Sequence, residues 1–213
     1  MVTVMTQQAQ THTPYKKRKK LRGAKRMEAE KLPTKKYEVI YADPPWSYRN
    51  KKTGGSMISG SASKYKTMTI KEICALPIRQ IADKNCILFL WVTTPLLPEC
   101  LPILDAWGFK YKTMLTWRKI MSLGLGYWFR GQTEHLILAT KGKVKATRMQ
   151  IPNFHQCKAE RHSQKPQYFR GLAEQCAAKL GFENKLEMFA RNSSEGWDVF
   201  GDEVENSIEL VTL

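Results

Sequence analysis

The sequence predicts an α/β protein built on one doubly wound, mostly parallel sheet. Short β-prone runs alternate with helix-patterned segments along the chain. One run, Cys86-Ile87-Leu88-Phe89-Leu90-Trp91-Val92, is apolar on both faces, as a central strand of a parallel sheet is. With 213 residues, the chain is long enough for a single such domain.

Taken in order, Tyr37 to Ala42 is the first strand, stopped by Asp43-Pro44-Pro45-Trp46. The stretch 48–64 is rich in Gly, Ser and Lys without hydrophobic periodicity, and reads either as a lid or as a plain connector. Thr69-x-x-Glu72 is a capping box that opens a helix through Ile70, Ile73, Ala75 and Leu76, cut short or kinked by Pro77. After the apolar strand, Pro95 to Trp107 reads as a helix closed by Gly108, with an irregularity at Pro102. Phe109 to Trp117 and Glu134 to Ala139 are two further strands. Between them, Gly124-x-Gly126 lacks the third glycine and following helix of a dinucleotide fingerprint. Pro166 to Leu180 is a helix ended by Gly181, and Lys185 to Phe189 is the last strong strand. No apolar stretch approaches the length needed to span a bilayer, and no membrane role is expected.

The formal net charge of +16 favours a polyanionic partner. Residues 1–36 carry eleven Lys or Arg against Glu28 and Glu30, so they are expected to form a basic, disordered arm before a single domain at 37–213. Such an arm suits phosphate contacts, a solvated tail or nuclear import equally well. The five cysteines form no Cys-x-x-Cys pair and no signal peptide is visible, which argues for reduced thiols in the cytoplasm. His155, Cys157 and His162 are too loosely spaced for a structural zinc site, so no metal is expected.

Asp43-Pro44-Pro45-Trp46 carries the chemistry. Its prolines fix φ and donate no N–H, so the nearby carbonyls are expected to point outward without ladder partners. A carboxylate, such a carbonyl and an indole at one point suit methyl transfer to an exocyclic amine of a nucleobase. The amine's lone pair is delocalised into the ring, so acceptors for its N–H groups and close alignment with the donor are both needed. The same four residues also make a plain strand-ending turn.

Further segments follow in a fixed order: Lys64-Tyr65-Lys66-Thr67-Met68-Thr69, Leu88-Phe89-Leu90-Trp91-Val92-Thr93, Trp107-Gly108-Phe109, Trp117-Arg118-Lys119 and Thr133-Glu134-His135. Ser163-Gln164-Lys165-Pro166, Leu186-Glu187-Met188-Phe189-Ala190-Arg191 and Gly196-Trp197-Asp198-Val199-Phe200-Gly201 complete the series. From about Tyr37 to Glu203 the chain resembles the family of the catalytic subunit of the eukaryotic messenger-RNA N6-adenosine methyltransferase, which has small bacterial and phage members. The resemblance implies a Rossmann-like, S-adenosylmethionine-dependent methyltransferase with the permuted motif order of the β class.

By that resemblance Asp43 lies near both the cofactor's methionyl end and the target amine. Pro44, Pro45 and Trp46 complete the catalytic turn. Lys165 faces the cofactor's carboxylate, and Arg191 and Asn192 contact its ribose or carboxylate. Asp202 and Glu203 stand where the messenger-RNA enzyme has Asn-Gln, and as carboxylates they can accept ribose hydroxyls. Tyr65, with Trp46, Tyr48, Trp117 and Glu134, makes the substrate side. Trp91 and Trp117 read more readily as core packing, and Glu134 and His135 as readily as a polar network. Lys165 reads also as a solvated first-turn lysine, although a cation there opposes the helix dipole and suggests an anionic partner. The resulting expectation is adenine N6 methylation of nucleic acid, with DNA favoured and RNA open. A catalytically silent nucleic-acid-binding subunit is the alternative, and a homo-oligomer or a related partner subunit is also open.

Overall fold

The computed structural model describes residues 33–47, 67–120, 128–158 and 164–210. The basic arm up to residue 32, the 48–64 loop and Gly124-x-Gly126 lie outside these described residues.

Seven strands form one sheet: β1 (Tyr37–Ala42), β2 (Ala82–Thr93), β3 (Lys110–Lys119), β4 (Thr133–Lys141), β5 (Phe154–Cys157), β6 (Lys185–Met188) and β7 (Asp198–Phe200). Their order is β5-β3-β4-β2-β1-β6-β7. β1 pairs parallel with β2 and β6, as do β3 with β5 and β6 with β7. β4 alone runs against its neighbours β2 and β3. The mostly parallel sheet was expected, but β2 has one parallel and one antiparallel partner. The apolar pattern of β2 reports burial of both faces and carries no information on neighbour direction. β3 and β4 are consecutive and adjacent, the relation that favours antiparallel pairing. β5 and β7 are short strands that the apolar pattern did not reveal.

Side chains alternate between two packed faces. Ile40, Ala42, Leu88 and Leu90 face α1 (Ile70–Ala75), α2 (Ile78–Ile81) and α3 (Cys100–Trp107). Val39, Tyr41, Phe89 and Trp91 face α4 (Gln167–Leu180). The result is a three-layer α/β/α domain.

The helix boundaries follow from local chemistry. Thr69 Oγ1 accepts the Glu72 N–H at 3.3 Å and Glu72 Oε2 accepts the Thr69 N–H at 2.7 Å, so the capping box opens α1. Pro77 then divides the predicted helix into α1 and α2, because the residue before a proline is pushed out of the helical region. Pro102 sits in the first turn of α3, where its absent N–H costs no helical bond. The segment before it, Thr94–Leu96, is a separate 3₁₀ turn. Gly108 ends α3 at φ 79°, a left-handed cap that a side chain would strain.

Trp91 anchors the α4 face. It is fully buried, meets Phe169 edge-on at a ring separation of 5.0 Å, and donates its indole N–H to the Tyr41 hydroxyl at 2.7 Å. Burying one such side chain contributes about 3 kcal/mol. The hydrogen bond also avoids leaving a buried donor unpaired. Tyr41 therefore sits on a rigid base two residues before Asp43. No helix among the described residues is long and apolar enough to cross a membrane.

Candidate active site

Strand direction gathers the site. The chain leaving β1, β2, β3, β6 and β7 emerges at one edge of the sheet, and the reversed β4 begins there. Thr93 at the end of β2 pairs with Glu134, as does Trp117 near the end of β3. Asp43, Glu134 and Lys119 thus arrive at one edge from three strands, and Lys165 arrives from the segment that enters α4.

These four side chains form a row of alternating charge. Lys165 Nζ lies 2.7 Å from Asp43 Oδ2 and 3.3 Å from Glu134 Oε2, and 5.4 Å from the centre of the Trp91 ring. Lys119 pairs with the other oxygen of Glu134. The Asp43 side chain is 27% exposed, against 14% for Lys165 and 12% for Glu134. Burial pushes the Asp43 carboxyl above its ordinary value, against the pull of Lys165. Burial acts on Glu134 in the same sense, but there Lys165 and Lys119 outweigh it and the carboxyl ends below its ordinary value. For Lys165, burial disfavours the charge, yet Asp43 and Glu134 together hold the ammonium above its usual range. Asp43 is therefore the more easily protonated carboxylate of this row.

Beside the row opens a cavity of about 440 Å³. Asp43, Lys165, Arg191, Asn192 and Glu203, all singled out in the sequence, line it. Asp202 is exposed and does not. Two backbone features shape the wall. Phe189 turns the chain after β6 at φ 63°, a left-handed conformation that costs about 1–2 kcal/mol for a non-glycine residue. Gly201, after β7, approaches Ala190 so closely that a Cβ would sit 2.0 Å from the Ala190 carbonyl oxygen. This approach brings Glu203 Oε1 to 3.9 Å from Arg191 Nε.

The rest of the expected site needs correction. Trp46 is buried at 6% exposure, bridges to Met68, and donates its indole N–H to the Trp91 carbonyl at 3.2 Å. Its ring packs in the core, so it braces the turn and offers no open face to a base. The proline carbonyls are not without partners: Pro44 O accepts the Trp46 N–H at 2.9 Å and Pro45 O accepts the Met68 N–H at 2.8 Å. Each keeps a second lone pair. Trp117 is 1% exposed and donates to the Cys157 carbonyl, so it is a floor beneath the site and not a contact surface. Lys165 already faces two carboxylates, which replaces the picture of a solvated lysine. Tyr48 and Tyr65 lie outside the described residues. His135 points to the opposite face of β4, between Thr94 Oγ1 at 3.1 Å and Thr116 Oγ1 at 3.2 Å, and burial lowers its affinity for a proton. His155 stacks on Tyr168 at 3.7 Å between ring centres.

Sequence reasoning did not single out Lys119, nor, among the residues of the cavity wall, Tyr41, Arg170, Glu187 and Phe189. Alternation back from Asp43 is a signal that could have found Tyr41, but nothing in the sequence paired Glu187 with Tyr41 across β1 and β6.

The seven-stranded sheet, the helices on both faces and a charged cavity at the strand ends define a Rossmann-like domain of the methyltransferase type. Residues 37–203 match the MT-A70 family model. The type II methyltransferase M.MunI of a Mycoplasma species is 35% identical over 205 residues, covering 85% of this chain and 84% of that protein. A putative N(6)-adenosine-methyltransferase MT-A70-like protein of Medicago truncatula is 25% identical over 185 residues, 83% of this chain. The N(6)-adenosine-methyltransferase subunit METTL3 of Danio rerio is 24% identical over 180 residues, 80% of this chain. The chain spans only 28% of each of these two longer proteins. It belongs to the MT-A70 family and, with it, to the adenine N6 methyltransferases.

Proposed function

We propose that the protein methylates the N6 amine of adenine in DNA, taking the methyl group from S-adenosylmethionine, with Asp43 as the residue that receives the amine. The observation that carries this reading is Asp43 itself, in the lining of the 440 Å³ cavity and held by Lys165. A volume in this range suits a nucleoside cofactor, and the cavity offers both signs of charge for an amino-acid zwitterion. Arg191, Asn192 and Glu203 would hold the ribose end, and Lys165 the carboxylate. S-adenosylmethionine supplies an electrophilic methyl group on a sulfonium.

The protein's own contribution is alignment and proton handling. With Oδ2 of Asp43 held by Lys165, Oδ1 accepts an N–H of the amine and turns the nitrogen lone pair toward the donor. The adenine must leave its stack to reach this edge, because a duplex encloses the amine. As the N–C bond formed and the sulfur–methyl bond broke to leave a neutral thioether, the nitrogen would become cationic and its surplus proton would pass to Asp43 or to solvent. The raised proton affinity of the half-buried Asp43 suits that transfer.

DNA is favoured because the chain matches a type II methyltransferase along most of both lengths, and that class acts on DNA. The net charge of +16 fits a polyanion. All five cysteines are free, which fits a reducing cytoplasm. The test offers labelled S-adenosylmethionine with DNA and RNA oligonucleotides that contain or lack adenine. Label should enter adenine-containing DNA. Labelling of RNA alone overturns the choice of polymer, and labelling of neither, with cofactor bound, overturns the enzyme reading.

A further inference from the structure

A stack of two rings stands beyond the Lys119 end of the charged row and has no part in the roles above. His155 on β5 and Tyr168 in the first turn of α4 lie face to face, 3.7 Å between ring centres and 11° from parallel. Both meet Phe169 edge-on, His155 at 5.7 Å and Tyr168 at 5.4 Å. Phe169 is fully buried and meets Trp91 at 5.0 Å, the ring that Lys165 Nζ approaches at 5.4 Å. The stack is therefore fixed to the same core that holds the charged row. It lies on the far side of α4 from the cavity, because Tyr168 and the cavity residue Arg170 are two positions apart on a helix and point to nearly opposite sides.

Packing explains the inner part of this arrangement and not the outer part. Tyr168 keeps 38% of its surface exposed although His155 covers one face of its ring. An aromatic stack extends by one more flat ring, and a ring already fixed in place loses little freedom when it does so. The charge of this half of the edge favours a polyanion. Arg118 and Lys158, at the ends of β3 and β5, are exposed. Glu134 is the one carboxylate on β3, β4 and β5, and Lys119 and Lys165 both pair with it. Aromatic faces set among cations hold unpaired bases without reading their sequence. A base in that state is at hand, because lifting the target adenine out of its stack bares the faces of its neighbours.

We propose that Tyr168, backed by His155, is a stacking platform for an unpaired nucleobase that flanks the target adenine in the polymer. This rests on the reading of nucleic acid as the substrate. Tyr168 supplies the open face, His155 covers the other face and holds the ring still, and Phe169 supports both edges. The platform returns part of the stacking that is lost when the adenine leaves its neighbours, so it favours the opened strand. Every base has a π-face, so the contact positions the strand without selecting the flanking base.

Fluorescence anisotropy with two labelled oligonucleotides isolates this contact. Each is a single strand with one adenine in a run of thymines, and the second has abasic sites next to the adenine on both sides. The wild-type protein should prefer the first by at least about tenfold, the size of one base–aromatic stack. Tyr168→Leu should lose about tenfold on the first strand, and less than about twofold on the abasic strand and on S-adenosylhomocysteine. Tyr168→Phe, which keeps the ring, should bind both strands as the wild type does. His155→Leu removes the backing ring, should lose part of the same preference, and serves if Tyr168→Leu does not fold. A wild-type protein without the preference, or variants that weaken both strands equally, would overturn the platform and leave methyl transfer to adenine intact. Failure of the wild type to bind either strand, single or annealed to its complement, overturns the nucleic-acid reading and the platform with it.

Discussion

Lys165 is the hinge of the charged row, and Lys165→Met tests how that row is held. The substitution keeps most of the stem's packing on Trp91 and removes a charge placed 2.7 Å from one carboxylate and 3.3 Å from another. Removing one partner from a buried pair costs about 3–5 kcal/mol. The 27% exposure of Asp43 lets water repay part of this, so about 2–4 kcal/mol is expected at neutral pH. The pH dependence has a definite sign. Glu134 is held below its ordinary value, so its contribution is present above the unfolded-state value of 4.5 and lost as pH falls through the folded-state value. Lys165 is held above 10.5, so its contribution is present below that value and lost as pH rises through the folded-state value. The deficit of the variant should therefore be largest across the neutral range and shrink in acid, where the wild type keeps a buried ammonium without charged partners. Urea unfolding at about pH 4 and about pH 7.5 measures this. An equal deficit at both would refute the electrostatic account and leave lost packing as the cause.

Three other substitutions probe neighbouring parts of the edge. Asp43→Asn should lower methyl transfer by at least about a hundredfold while cofactor affinity changes far less, read by label incorporation beside calorimetry. Retained transfer would remove Asp43 from the reaction. Trp46→Ala should cost about 3–5 kcal/mol in urea unfolding, since the indole is core; normal stability with weakened substrate binding would restore the base-holding role. Gly201→Ala places a methyl group 2.0 Å from the Ala190 carbonyl oxygen, so it should part the two walls and cost about 1–3 kcal/mol. Weakened binding of S-adenosylhomocysteine is the expected readout there. Unchanged affinity and stability would show that the walls do not depend on this approach.

Much of the fold was legible because it depends on local signals. β1 ends where the two prolines remove ladder donors, Thr69 and Glu72 cap each other within one turn, and Gly108 and Gly181 stop their helices. The cavity residues Asp43, Lys165, Arg191, Asn192 and Glu203 were also found, because each stands in a short segment whose order matches a family. Trp46 was read as a base-holding ring, and Trp117 was left between core and contact surface, for one reason. An indole next to a catalytic turn looks the same in sequence whether its face meets a ligand or a neighbouring strand. Only packing against Met68, Trp91 and Cys157 decides that.

By itself the sequence determined the alternation of strands and helices, the rigid Asp43-Pro44-Pro45-Trp46 turn and the basic character of the chain, all of which follow from residues close together along the backbone. Tertiary structure alone decided that β4 runs backward, and with it that Glu134 reaches the edge where Asp43, Lys165 and Lys119 meet. It also decided that Glu187 stands beside Tyr41 within reach of Arg170. Strand direction and register come from pairing across many residues, and the charge that each group carries follows from the neighbours that such pairing supplies.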